Sequence, residues 1–110
     1  MENKERITLK QLRSLKAIYE LGSFTRAAKF LNLTPPAVTV QIRHLEESLD
    51  AKVLSRAPDG RNSATEVGKE IVHLASRIET NLETSINTVR AIKRGQVGSV
   101  TLGVVSTAKY

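Results

Sequence analysis

The 110-residue sequence has no cysteine and no tryptophan. Without thiols, a disulfide scaffold, a thiolate zinc finger and cysteine catalysis are all excluded. Histidine is nearly as scarce. His44 and His73 are too few for a His-rich metal site and read as helix-surface positions, so neither a metal nor a cofactor is expected. Aromatic residues make up 4% of the chain, which argues against single-strand binding by base stacking, since that needs a platform of rings. No apolar run approaches the roughly 20 residues of a membrane span, and the charged N-terminus has no apolar signal segment behind it. A soluble, cytoplasmic protein is the expectation. No paired carboxylates, nucleophile–base pair or metal cluster falls on one face, so the sequence offers no enzyme active site.

What is present is 40% apolar residues and a balance of 17 Lys+Arg against 11 Asp+Glu, a net charge of +6. That is enough for one small core, on a chain that is basic without being a polycation. Thr8 with Gln11 three residues on predicts a capping box, and Leu9, Leu12, Leu15 and Ile18 follow at helical spacing until Gly22 ends the helix. Ser23 caps a short second helix, Phe24 to Leu31, with Phe24, Ala27, Ala28 and Leu31 on its inner stripe. After a very short turn at Asn32-Leu33, Thr34 caps a third helix. Pro35 occupies its first position, where a missing amide hydrogen costs nothing, and Val38, Ile42, Leu45 and Leu49 form one buried stripe.

Beyond Asp50 the texture changes. Val53 to Arg56, a turn at Pro58-Asp59-Gly60, and Arg61 to Ala64 predict a short hairpin. Thr65 and Glu66 then open a long helix to about Arg94, stopped by Gly95. Some 30 helical residues span roughly 45 Å, too long for so small a domain to cover. Val67, Ile71, Leu74, Ile78, Leu82, Ile86, Val89 and Ile92 recur at an average step of about 3.6, near the seam of a coiled coil. Only the first turns can pack on the preceding domain, and the rest needs either a second copy or a further domain over it. Ser99 to Val105 reads as a lone β-branched strand, the expected start of a domain this chain does not contain.

The fold expected is therefore mainly α: a winged helix-turn-helix of three helices and a hairpin wing over 1–65, a linker or dimerisation helix over 66–94, and over 95–110 a hinge with the first strand of an absent effector-binding domain. Function is carried by what the third helix leaves outside. With Val38 at zero on a helical wheel, Pro36, Val40, Arg43 and Glu47 fall on the far side, flanked by Thr39 and His44. No acid appears there before Glu46 and Glu47, at the far end. The N-terminal half is small, neutral to basic, and at the positive end of the helix dipole, which suits a groove lined by phosphates. Thr39 can hydrogen-bond a base edge, Arg43 can reach guanine or phosphate, and Val40 offers only a methyl surface. Ser23, Arg26, Thr34 and Gln41 are placed for phosphate, and Arg56 and Arg61 flank the wing turn, where they can follow the backbone into a minor groove. A second reading, a coiled-coil dimeriser whose winged fold binds protein, stays open on these residues alone.

Ser23-Phe24-Thr25-Arg26-Ala27-Ala28 with Leu31, then Thr34-Pro35-Pro36-Ala37-Val38-Thr39-Val40-Gln41-Ile42-Arg43-His44-Leu45-Glu46, resembles the N-terminal winged helix-turn-helix of LysR-type transcriptional regulators. The hairpin ending at Arg61 and the run Ala64-Thr65-Glu66-Val67-Gly68 match the same pattern, so the resemblance covers essentially the whole chain. It implies a bacterial regulator that dimerises through the long helix along Val67, Ile71, Leu74, Ile78, Leu82, Ile86 and Val89. Such a regulator binds an interrupted palindrome in double-stranded DNA, often as a tetramer, and senses a small molecule through a C-terminal domain. It implies base or near-base contacts at Pro35, Pro36, Thr39 and Val40, phosphate contacts at Ser23, Thr34, Gln41 and Arg43, and wing contacts at Arg56 and Arg61. Pro35 stands where glutamine is usual and Val40 where arginine is common, so specificity is expected to lean on Thr39, van der Waals contact and DNA shape. Asp50 and Leu54 replace the usual glycine and phenylalanine. The tail from Val100 to Tyr110 is similar to regulators of RuBisCO and other Calvin-cycle operons.

Overall fold

Three hydroxyl side chains start the first three helices in the computed structural model, which describes residues 6–95. Thr8 caps α1 (Leu9–Leu21): its Oγ1 accepts from the Gln11 amide at 3.1 Å, while Gln11 Oε1 accepts from the Thr8 amide at 3.2 Å. Ser23 Oγ accepts from the Arg26 amide at 2.9 Å and opens α2 (Phe24–Leu31). Thr34 Oγ1 accepts from the Ala37 amide at 3.2 Å and opens α3 (Pro35–Leu49) behind two prolines. Each cap satisfies an amide that the first turn leaves without an intrahelical partner, a contribution of about 1 kcal/mol apiece.

The helices also end where local chemistry stops them. Gly22 takes the left-handed conformation (φ +82°) that lets its amide close back on Ile18 O at 2.7 Å. Asn32 and Asp50 adopt the same conformation with side chains, φ 63° and 54°. The turn after α3 is thus made by Asp50 in the backbone geometry that a glycine would supply. Strands β1 (Leu54–Arg56) and β2 (Asn62–Ala64) form a two-stranded antiparallel hairpin, with Leu54 opposite Ala64 and Arg56 opposite Asn62. Helix α4 runs from Glu66 to Lys93. The strand expected over Ser99 to Val105, and the tail to Tyr110, lie outside the described residues.

The chain divides into two compact units, residues 1–76 and 77–110. In the first, α1, α2 and α3 pack against one another around Leu12, Leu15, Ile18, Ala27, Ala28, Val38, Ile42 and Leu45, with Val53 closing the core from the start of the hairpin. Ala27 and Ala28 let α2 approach its neighbours closely, as expected. Three expectations need correction. Leu9 is 43% exposed, because the buried face of α1 runs from Leu12 round to Ala17 with Gln11 and Ile18 near its middle, and Leu9 lies about 160–180° round the wheel from those two. Phe24, Leu31 and Leu49 are only half-buried, and Ser48 takes the last buried place on α3.

The third correction concerns α4. Its buried residues are Gly68, Val72 and Ala75, not members of the Val67–Ile71–Leu74 series; Val67 is exposed, and Ile71 and Leu74 are half-buried. The helix docks on a face of small residues and leaves its strongest apolar stripe largely outside. In the second unit the described part is helical, and Leu82, Ile86, Val89 and Ile92 are all exposed.

Candidate nucleic-acid interface

Capping consumes only the acceptor capacity of Ser23 and Thr34. Each oxygen takes a backbone N–H, and the hydroxyl proton is left for an outside acceptor such as a phosphate oxygen. Thr39 is the opposite case. Its Oγ1 donates back to Pro35 O at 3.1 Å, so it turns a lone pair and a methyl outward. Pro35, Pro36, Thr39 and Arg43 are exposed, while Val40 and Gln41 are half-buried. The N-terminal half of α3 therefore turns Pro35, Pro36 and Thr39 fully outward and Val40 and Gln41 only in part, with no acidic side chain in its first turn.

The hairpin stands beside this helix. A groove of about 360 Å³ between α3 and the wing is lined by Phe24, Thr39, Arg43, Leu54, Arg56 and Asn62, with Glu46 and Lys52 also on its wall. Thr39, Arg43 and Arg56 are thus brought to one cleft. Leu54, in the place of a larger aromatic, is half-buried along its wall. The wing turn is built by backbone and side chain together. Ala57 N–H donates to Arg61 O at 2.7 Å, Gly60 N–H donates to Ala57 O at 2.9 Å, and Asp59 Oδ1 accepts from the Arg61 amide at 3.0 Å. Arg56 Nη1 donates to Gly60 O at 3.2 Å, so this arginine braces the tip it was expected to extend from.

Arg61 goes elsewhere. Its guanidinium lies over Gly22, where a Cβ would meet Nη2 at 3.6 Å, next in sequence to Ser23. The sequence separates these residues widely. The fold sets the wing arginine at the C-terminal, negative end of α1 and the N-terminal, positive end of α2. Ser23 and Arg61 consequently form one basic, hydrogen-bond-donating corner, and their neighbours Phe24 and Asn62 line the Thr39–Arg43–Arg56 cleft.

Sequence reading missed Glu46. Taken as an acid at the far end of the outer face, it is instead turned inward and largely covered. Glu46 Oε2 accepts from the Val53 amide at 2.9 Å, and Oε1 lies 3.7 Å from Lys52 Nζ. The partner is a main-chain group, which hydropathy periodicity cannot register. With Glu46 turned in, the acid nearest the outer surface is Glu47, a full turn beyond Arg43. His44 and His73 are exposed, and no group of three His, Asp or Glu side chains among the described residues could hold a metal ion. No helix among them is long and apolar enough to cross a membrane.

Three helices with a tight turn before the third, and a hairpin after it, define a winged helix-turn-helix. Residues 9–69 match the model of the lysR family of bacterial regulatory helix-turn-helix proteins. The chain belongs to that family, one of regulators and not of enzymes. It is 46% identical over 105 residues to the HTH-type transcriptional regulator CbbR of Cereibacter sphaeroides, covering 94% of this chain and 34% of that protein. It is 33% identical over 105 residues to the RuBisCO operon transcriptional regulator of Allochromatium vinosum, at 94% and 34% coverage. Among solved structures, the complex of the BenM DBD with benA site 1 DNA superimposes with a TM-score of 0.73 at 30% identity, covering 80% of this chain and 98% of that one. The chain spans about a third of the length of the curated relatives it matches.

Proposed function

We propose that this chain is the operator-binding part of a LysR-family transcriptional regulator, working in the cytoplasm on double-stranded DNA. The carrying observation is the outward, acid-free N-terminal half of α3 beside a wing that presents arginine on both sides of its turn. Pro35, Pro36, Thr39 and Val40 meet base edges in the major groove, with Thr39 accepting a hydrogen bond and Val40 making methyl contact. Ser23, Arg26, Thr34, Gln41 and Arg43 hold phosphates and set register, and Arg56 and Arg61 extend the grip past the groove. The similarity to a domain solved on its DNA supports this reading.

The division of labour we assign is a winged domain over 1–65, a linker helix over 66–94 and a lead into an effector-binding domain over 95–110. Val67, Ile71, Leu74, Ile78, Leu82, Ile86 and Val89 pair α4 with a second copy. The support is that Val67, Leu82, Ile86 and Val89 are exposed, and Ile71, Leu74 and Ile78 only half-buried, on a helix that docks through Gly68, Val72 and Ala75. The homodimer places two recognition helices on an interrupted palindrome about one turn of DNA apart, or a multiple of it. The full-length regulator assembles further into a tetramer. Names of relatives such as the RuBisCO operon regulator support control of carbon-fixation genes as its task.

Selection of bound sequences from a random duplex library tests this directly, with a paired half-site motif as the expected product. Log affinity for the selected duplex should fall with log salt at a slope near −0.9 per phosphate neutralised. Binding indifferent to salt, or dimerisation with no preference for any duplex, would refute the proposal. Ile86→Glu should give a monomer by sedimentation, and a dimer that survives it would remove the seam from the account.

A further inference from the structure

Lys52 and Val53 join the recognition helix, the wing and the first turn of α4 through four contacts. Val53 N–H donates to Glu46 Oε2 of α3 at 2.9 Å. Lys52 O accepts from Thr65 Oγ1 at 2.7 Å, and Val53 O accepts from Thr65 N–H at 3.1 Å. Gly68 lies flat on the Val53 carbonyl, where a Cβ would overlap the oxygen. Thr65 Oγ1 also takes the Gly68 amide at 3.0 Å, so the residue that caps α4 is the one that grips this dipeptide. The Val53 side chain is fully buried beneath. Thus α4 begins on a peptide unit whose other side is held by a carboxylate of α3.

From this geometry we infer that Glu46 is a positioning residue that fixes the angle between the recognition helix and α4, and so sets the half-site spacing the dimer accepts. The inference rests on the operator-binding reading above. A carboxylate receiving a backbone N–H makes a strong, directional hydrogen bond, and only 18% exposure of its side chain protects it from competing water. Lys52, at 82% exposure and 3.7 Å, adds little to the clamp. Recognition by one α3 depends on its own surface, but simultaneous engagement of two depends on how rigidly each is held to the paired rods. Releasing the clamp should therefore spare the half-site and blur the spacing.

The test uses the whole chain, a palindromic duplex selected by the wild-type protein, the same duplex with its spacer one base pair shorter or longer, and a single half-site. Glu46→Ala takes a negative charge from the groove wall and so should not lower half-site affinity, while its preference for the selected spacing falls by about 2- to 30-fold, the usual range for a coupling residue. Glu46→Gln keeps an acceptor for Val53 N–H without the charge and should hold a preference between those of the wild type and alanine. Thr65→Val cuts the other end of the clamp and should blur spacing as Glu46→Ala does, which covers the case of a Glu46→Ala chain that does not fold. Wild-type spacing preference in both Glu46→Ala and Thr65→Val, or a Glu46→Gln protein as indiscriminate as alanine, overturns the inference alone. A wild-type chain that selects no duplex overturns the operator-binding reading as well.

Discussion

Gly68 of α4 sits against the main-chain carbonyl of Val53, with the Ala64 methyl at 3.3 Å from where its own Cβ would be. Two effects of Gly68→Ala oppose each other. Alanine favours an exposed helix interior by about 1 kcal/mol over glycine, but here the added methyl meets backbone that cannot swing aside. Val53 O is already held by Thr65, so relief requires lifting α4 from the core that Val72 and Ala75 complete. Steric strain of this kind exceeds the propensity gain, and net destabilisation of about 2 kcal/mol is expected by urea unfolding. A neutral or stabilised variant would mean that α4 does not pack here as closely as described.

Asp50 carries a different strain. It ends α3 at φ 54°, and its amide closes on Glu47 O at 3.3 Å. A side chain in the left-handed region is disfavoured, although aspartate tolerates it better than most residues. Asp50→Gly should raise stability by about 0.5–1 kcal/mol, less than the full strain because glycine also gains freedom in the unfolded chain. Thermal denaturation decides this, and a lowered midpoint would show that the carboxylate contributes more than its backbone costs.

Ser14 is wholly buried on α1, and its hydroxyl finds no hydrogen-bond partner among the described residues. An unpaired buried hydroxyl is a liability that alanine removes at almost no change in volume. Ser14→Ala should stabilise the fold by about 1 kcal/mol, helped by the better helix propensity of alanine. Destabilisation would reveal that the hydroxyl is satisfied after all.

What the sequence made legible was local. Thr8, Ser23, Thr34 and Thr65 announce helix starts because a cap and the amide it receives lie three residues apart, within the reach of pattern. The outer face of α3 was readable for the same reason, since one wheel fixes which side chains oppose Val38. Contacts between distant segments were not readable. The docking face of α4 is built from Gly68, Val72 and Ala75, of which only Val72 carries a strong hydropathy signal, so periodicity alone does not separate this face from the Val67–Ile71–Leu74 series beside it. Glu46 hid because its partner is an amide nitrogen, and Arg61 because its neighbour Gly22 is a glycine. Both departures in the turns were tolerable for physical reasons: Asp50 reaches the left-handed region, and Leu54 still lines the wing groove.

Thr39 and Arg61 should separate reading from gripping. Thr39 Oγ1 gives its proton to Pro35 O, which leaves an acceptor and a methyl toward the groove. Thr39→Ala should cost about 1–3 kcal/mol on a duplex selected by the wild-type protein and little on random DNA. Arg61, lodged over Gly22 beside Ser23, meets DNA only as a phosphate ligand in this scheme. Arg61→Ala should weaken selected and random duplexes about equally and flatten the salt dependence by the share of about one phosphate. Competition binding at two salt concentrations measures both. Should Thr39→Ala weaken all duplexes alike, Thr39 loses its base-reading role. Should Arg61→Ala change the preferred sequence while leaving the salt slope intact, the corner it forms with Ser23 is not a phosphate site.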